Sequence, residues 1–284
     1  MTARLGVSNL AWAPGQTTEA LALLARLGVE GVEVAPTRIA AWDRLGAAAV
    51  EKYRRRVEDA GLRVCSLQAI LFGLPGDQLL ADAAAFRSLA EHMRLVAEVA
   101  KDLGAGIAVL GAPHNRTRGA RPEAEAEALA AARLRMLGDI VAPAGLAIGL
   151  EPVPAQYGAD FMLRAADVRR VVTLCGHPAI RTHLDCACVM LGGDDIGAEI
   201  AATGSALAHY HIAEPELGPF NAPVCAHGAA AVALAASAYA GWAVIEMREQ
   251  PSGLDAVERA IRFARRTYHA ALRGPAGTLK EGSG

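Results

Sequence analysis

Residues 181–193 read RTHLDCACVMLGG: a short apolar strand that ends by placing His183, Asp185, Cys186 and Cys188 close together. Working outward, the same pattern of an apolar run, a polar residue and a helical segment recurs along the whole chain. The strand-like runs are RLGVSNL (4–10), GVEVA (31–35), LRVCSLQAI (62–70) and GIAVLGA (106–112), then LAIGLEPV (146–153), AIRTHLDCA (179–187), LAHYHIAE (207–214) and WAVIEMRE (242–249). An alanine-rich helical segment follows each one. The first, TTEALALLARLG, has Thr17 or Thr18 as its expected N-cap and Gly28 as its stop. The third is expected from Ala81 to Leu103, closed by Gly104, and the sixth is DDIGAEIAATG at 194–204. Buried parallel strands are near-continuous apolar runs without clean alternation, as these are. Eight strand–helix units most simply close into a single-domain α/β (β/α)8 TIM barrel, with a doubly wound open sheet as the alternative. The barrel is expected over residues 1–273, with residues 274–284 as a flexible tail.

Composition bounds the function. A chain of 284 residues that is 53% hydrophobic can bury a large core, and its net charge of −2 provides no electrostatic footprint for nucleic acid. No apolar run reaches the length of a membrane span. The opening MTARLGVSNLAW lacks a secretory h-region, and five scattered cysteines do not form a disulfide framework. Reduced thiols and a cytoplasmic location are therefore expected.

A parallel barrel assembles its active site at the C-terminal ends of its strands. The last four strands each end near a metal-ligand type: Glu151, Asp185, His211 and Glu246, each roughly one unit after the previous one. Three carboxylates and one imidazole form an oxygen-rich set suited to Mn²⁺ or Mg²⁺, with Co²⁺ or Zn²⁺ able to compete. Without a cation, converging carboxylates repel and raise one another's pKa.

His183 should point the same way as Asp185, one layer deeper, as a substrate group or an interior histidine. Cys186 should face the helices as a small hydrophobe, with Cys188 just beyond the strand against the pocket. Asn9, Trp12, Gln68 and Tyr157 are candidate sugar-lining residues, though Trp12 or Tyr157 can equally be packing. Glu214 can meet a hydroxyl or cap a turn. Arg248 can meet an anion, with a structural ion pair favoured. His209 reads as interior packing, and Arg116 and Arg118 as a solvated loop, with contact to a phosphate as the alternative. Cys65, Cys175 and Cys225 show no spacing typical of a zinc–thiolate site.

The ordered motifs SNLAW, GVEVAPT, LQAILFG, LEPVP, HLD, HYHIAEP and VIEM resemble the xylose-isomerase-like sugar phosphate isomerase/epimerase superfamily from about residue 4 to residue 270. The resemblance implies a (β/α)8 barrel acting on a small carbohydrate and commonly assembled as a dimer or tetramer. From its ketose 3-epimerase branch it implies one divalent cation on Glu151, Asp185, His211 and Glu246, with Glu151 and Glu246 exchanging protons with substrate. Two positions depart from that branch. Cys188 stands where a substrate-binding histidine is usual, and Leu217 where an arginine is usual. These departures argue against a standard free-ketohexose 3-epimerase and leave the quartet intact. The expectation is a metal-dependent sugar isomerase or epimerase. A lyase acting on a keto-sugar, keto-cyclitol or oxidised glycoside at the same site is the alternative. A DNA-repair endonuclease would need more clustered ligands and a basic groove, and a non-catalytic barrel would not depend on metal.

Overall fold

The computed structural model describes residues 2–272, so the expected tail at 274–284 lies outside the described residues. Eight parallel strands, β1 (Arg4–Ser8), β2 (Gly31–Val34), β3 (Arg63–Leu67), β4 (Ile107–Leu110), β5 (Ala147–Leu150), β6 (Ile180–Asp185), β7 (Leu207–Ala213) and β8 (Trp242–Glu246), pair in sequence order, and β8 closes on β1. Around them lie α1 (Thr17–Arg26), α2 (Ala47–Asp59), α3 (Ala83–Leu103), α4 (Glu123–Val141), α5 (Ala165–Cys175), α6 (Cys186–Leu191), α7 (Ile196–Thr203), α8 (His227–Ala236) and α9 (Leu254–Thr267). The expected (β/α)8 barrel is the observed fold.

Period-2 alternation sorts each strand. Val32, Val34, Ile148, Leu184, Ile212 and Ile245 face outward into the core shared with the helices. The inward residues meet inside the barrel. At its lower end Trp242 packs with Cys65 and Val244, and the Arg4 guanidinium lies 4.1 Å above the Trp242 ring. Glycine makes room for them. A Cβ on Gly31 would come within 2.6 Å of the Trp242 ring, and one on Gly6 within 3.0 Å of Val244.

Three local expectations change. Thr17 is not a cap: it lies in the first turn of α1 and its hydroxyl donates to the Pro14 carbonyl at 2.8 Å, while Gln16 occupies the cap position. α3 starts at Ala83, later than Ala81, because the Asp82 carboxylate takes the cap and accepts from the Ala84 and Ala85 amides at 2.9 Å. The chain after Asp185 turns at once into α6, a short helix the sequence reading missed.

Gly31→Ala should lower stability by about 1–3 kcal/mol through overpacking against Trp242, read as a reduced denaturation midpoint with unchanged slope.

Candidate active site

Inward positions of the last four strands meet at the upper end of the barrel. Cα register sets Asp185 beside His211 and Ala213 beside Glu246, so β6, β7 and β8 deliver their polar groups in adjacent rows. His211 Nδ1 lies 3.1 Å from Glu246 Oε2 and 3.7 Å from Asp185 Oδ2. Ligand atoms of Glu151, Asp185 and His211 all fall within 4.8 Å of one another. Asp185 divides its carboxylate between two jobs. Oδ1 accepts from the Cys188 amide at 2.7 Å and caps α6, while Oδ2 is buried without a hydrogen-bond partner. Both His211 nitrogens lie close to carboxylates, Nδ1 to Glu246 and Nε2 to Glu33, without the geometry of a hydrogen bond. A buried carboxylate oxygen without a partner, beside an imidazole and two further carboxylates, suits a shared cation.

The charge balance agrees. Burial first, then the charges of Asp185 and Glu246, pushes the Glu151 carboxyl up to about 8. Burial also raises Glu246, against the opposing pull of His211. A divalent cation would relieve this repulsion, so the donor set fits a hard or borderline metal ion.

Beneath this cluster lies a residue the sequence reading passed over. Glu33, alone in the apolar run GVEVA, is wholly buried between two imidazoles, 2.9 Å from His211 Nε2 and 2.8 Å from His209 Nε2. The Ser66 hydroxyl donates to it at 2.7 Å. With the Gln68 amide turned so that its nitrogen faces the carboxylates, the orientation its neighbours demand, it donates to Glu33 and, at 3.1 Å, to Glu246, while its oxygen accepts from the Ser8 hydroxyl at 3.0 Å. Burial alone would raise the Glu33 pKa, but the two histidines outweigh it and hold the carboxyl well below the usual range. Burial depresses His211 in turn, but Glu33 and Glu246 overcome that and raise it well above the ordinary imidazole value. Glu33 on Nε2 thus orients the ring so that Nδ1 faces the carboxylates, the arrangement by which outer carboxylates aim metal-binding histidines. A lone acid at an inward position of an apolar strand was the available signal.

Two further residues place Glu151. The expected solvated loop does not hold for Arg116, which is buried at 2% exposure and donates to the Glu151 backbone carbonyl at 2.8 Å. Burial lowers its pKa to about 10, partly offset by the Glu151 charge. Arg118 reaches Asp160 through its backbone amide at 2.8 Å. Gly111 leaves open the space that the Glu151 carboxylate occupies, since a Cβ there would sit 2.1 Å from Oε2.

Two adjoining cavities of about 510 and 350 Å³ open above the cluster, and both are lined by Glu151 and Glu246. The larger has a mostly apolar wall that includes Ile70, Leu74 and Val109, with Gln68 at its base. Tyr157, Cys188, Glu214 and Arg248 line the smaller. Tyr157 also accepts from the Glu216 amide at 3.0 Å. Both Glu214 oxygens are engaged, accepting from the Val224 amide at 2.8 Å, the Cys225 amide at 3.2 Å and His227 Nε2 at 2.7 Å, so this residue caps its loop. Arg248 is exposed and makes no side-chain ion pair among the described residues, contrary to the favoured expectation.

Other candidates lie deeper. His183 points the same way as Asp185 and is wholly buried, with Nε2 3.7 Å from Glu151, but it lines neither cavity. Asn9 accepts from the Ala35 amide at 2.9 Å and, like Trp12, is buried away from both cavities. Cys186 turns away from the cavity, as expected, but toward polar partners.

Glu33→Gln should lower the pH at which His211 titrates, followed by imidazole NMR, and weaken divalent-cation binding about 10–100-fold by calorimetry.

The sequence profile of the Xylose isomerase-like TIM barrel family matches residues 21–267. Curated protein sequences show no match. Several solved structures share the fold. A 3-keto-D-glucoside 4-epimerase from E. coli superposes with a TM-score of 0.75 at 19% identity, covering 93% of this chain and 99% of the other. A D-allulose 3-epimerase from Methylomonas sp. gives 0.75 at 20% identity, covering 94% and 98%. A probable 3-DHS dehydratase from Bacillus anthracis gives 0.72 at 14% identity, covering 91% and 97%. At these identities the structures speak to the fold, whereas the profile spans most of the sequence: the chain belongs to the Xylose isomerase-like TIM barrel family.

Proposed function

We propose that this protein is a divalent-metal-dependent isomerase or epimerase of a sugar or sugar derivative that moves a proton at the carbon beside a carbonyl. The observation that carries the reading is the convergence of Glu151, Asp185 and His211 within 4.8 Å, with Glu246 3.1 Å from His211 and the buried Asp185 Oδ2 without a hydrogen-bond partner. These four residues would hold the cation, and the oxygen-rich set favours Mn²⁺. When bound, the cation supplies Lewis-acid polarisation of the substrate carbonyl.

The remaining work belongs to the chain. Glu151 and Glu246 stand three strands apart around the barrel and both border the cavities, so they reach a bound sugar from different sides. One removes the proton and the other returns it to the opposite face, as positioned general base and acid. Arg116 and Gly111 hold Glu151 in place from its backbone and side-chain ends. Gln68 steadies Glu246. The apolar wall of the larger cavity leaves few groups to compete with the carboxylates for the substrate's polar end. Epimerases among the similar barrels support the proton-transfer reading.

Loss of water at the same site is the second reading. It is supported by the dehydratase among the similar barrels, while Cys188 and Leu217 argue only against a standard free-ketohexose 3-epimerase. Dehydration would consume the substrate with no interconversion of sugar isomers.

After chelation and reloading with Mn²⁺, mass spectrometry should find about one equivalent in the wild type and a large loss in the Asp185→Asn, Glu246→Gln double variant. The wild type should then incorporate solvent deuterium into at least one member of a ketose panel. Glu151→Gln should slow that exchange by about 10²–10⁴-fold. A protein that takes up no Mn²⁺ would overturn the proposal.

A further inference from the structure

Outside the cavity, the fold brings together a second set of metal-ligand side chains with a different chemistry. Cys186 at the start of α6, Cys225 in the loop before α8 and His227 at the start of α8 place ligand atoms within 4.8 Å of one another. All three are buried: Cys186 is fully enclosed, Cys225 is 8% exposed and His227 3%. Neither cysteine is in a disulfide.

The surroundings of His227 resemble those of a metal ligand. The Glu214 carboxylate accepts from Nε2 at 2.7 Å, which keeps the ring proton on that nitrogen. The Nδ1 lone pair is then left facing the Tyr268 hydroxyl at 2.7 Å. A carboxylate on one ring nitrogen is the usual outer arrangement of a histidine–zinc site, and here the other nitrogen meets a phenol that a metal ion would have to displace. Tyr268 is wholly buried and lies 3.2 Å from the Tyr210 hydroxyl, which sits beside the Cys186 thiol. These groups complete one another's hydrogen bonds, so what points to a cation is the donor set itself: two thiols and an imidazole brought within 4.8 Å at one buried place.

We infer that Cys186, Cys225 and His227 form a second cation site, for Zn²⁺ or another thiophilic divalent ion, separate from the oxygen-rich quartet. Two thiolates and one imidazole are a structural-zinc donor set, and the Tyr268 oxygen is the nearest candidate for a fourth ligand. Two thiolates neutralise a divalent ion, so the site adds no net charge to the interior. The metal ties α6 to the loop at 218–226 and to α8. Because Asp185 directly precedes Cys186 and caps α6, the tie also holds Asp185 at the cavity. The sequence spacing does not show this site: Cys186 and Cys225 come from consecutive strand–helix units and only the barrel brings them together. The inference is independent of the reaction proposed above.

Co²⁺ loading of the chelated full-length protein under reducing conditions tests it. Cobalt on thiolates gives intense near-ultraviolet charge transfer, which an oxygen-rich site does not. Wild type should show this absorption. It should persist in the Asp185→Asn, Glu246→Gln variant, which lacks the quartet, and in Cys188→Ser, which removes the thiol nearest the quartet. It should vanish in Cys225→Ser and in Cys186→Ala. Zn²⁺ should raise the thermal midpoint of wild type and of the quartet variant alike. Absence of charge transfer in saturated wild type would overturn the inference, and that reading does not depend on any variant folding. Its persistence at wild-type intensity in Cys225→Ser or Cys186→Ala would do the same.

Discussion

Closure of eight parallel strands lets each strand send only alternate residues inward, and the enclosed space must be filled without voids or clashes. That constraint organises the molecule from bottom to top. At the lower end Trp242 fills the barrel because Gly31 and Gly6 carry no side chain. Above it the filling becomes polar, with His183, His209 and Glu33 in place of branched aliphatics. The uppermost inward positions carry Asp185, His211 and Glu246. The polar cluster is therefore built on the core itself and inherits its rigidity.

A buried charge persists only with partners. Glu33 is tolerated at zero exposure because two imidazoles and the Ser66 hydroxyl surround it, and it repays them by fixing the His211 ring. The chain thus supports its upper polar layer from below through one carboxylate and from the side through Arg116, Gln68 and the α6 cap. Each of these supports restricts a side chain that borders the cavity. Glu214 and His227 do similar work at the loop after β7, where the same hydrogen-bond network surrounds the pair of thiols.

The barrel was readable in the linear chain, and so were the four polar groups at the ends of its last strands, because strand periodicity and one polar strand end per unit are local properties. Glu33 was visible only as an acid in an apolar run, and nothing nearby in sequence showed that His209 and His211 flank it. Arg116 looked like a loop residue among PHNRTRGARP, yet it packs behind β5. Thr17 had the right chemistry for a cap, but the turn at Pro14 drew its hydroxyl back to a carbonyl. α6 was hidden because CACVML has no helical signal stronger than its resemblance to a continuing strand.

The sequence alone determined the alternation of units, the parity of each strand and the identity of the groups at the strand ends. These follow from the two-residue repeat of an extended chain and the burial of apolar runs. Tertiary structure decided which groups meet. Glu33 with His211, Arg116 with Glu151, and Cys186 with Cys225 and His227 are contacts between different units. Barrel radius, strand register and the missing Cβ atoms of Gly31 and Gly111 set their distances, and no local pattern encodes those quantities.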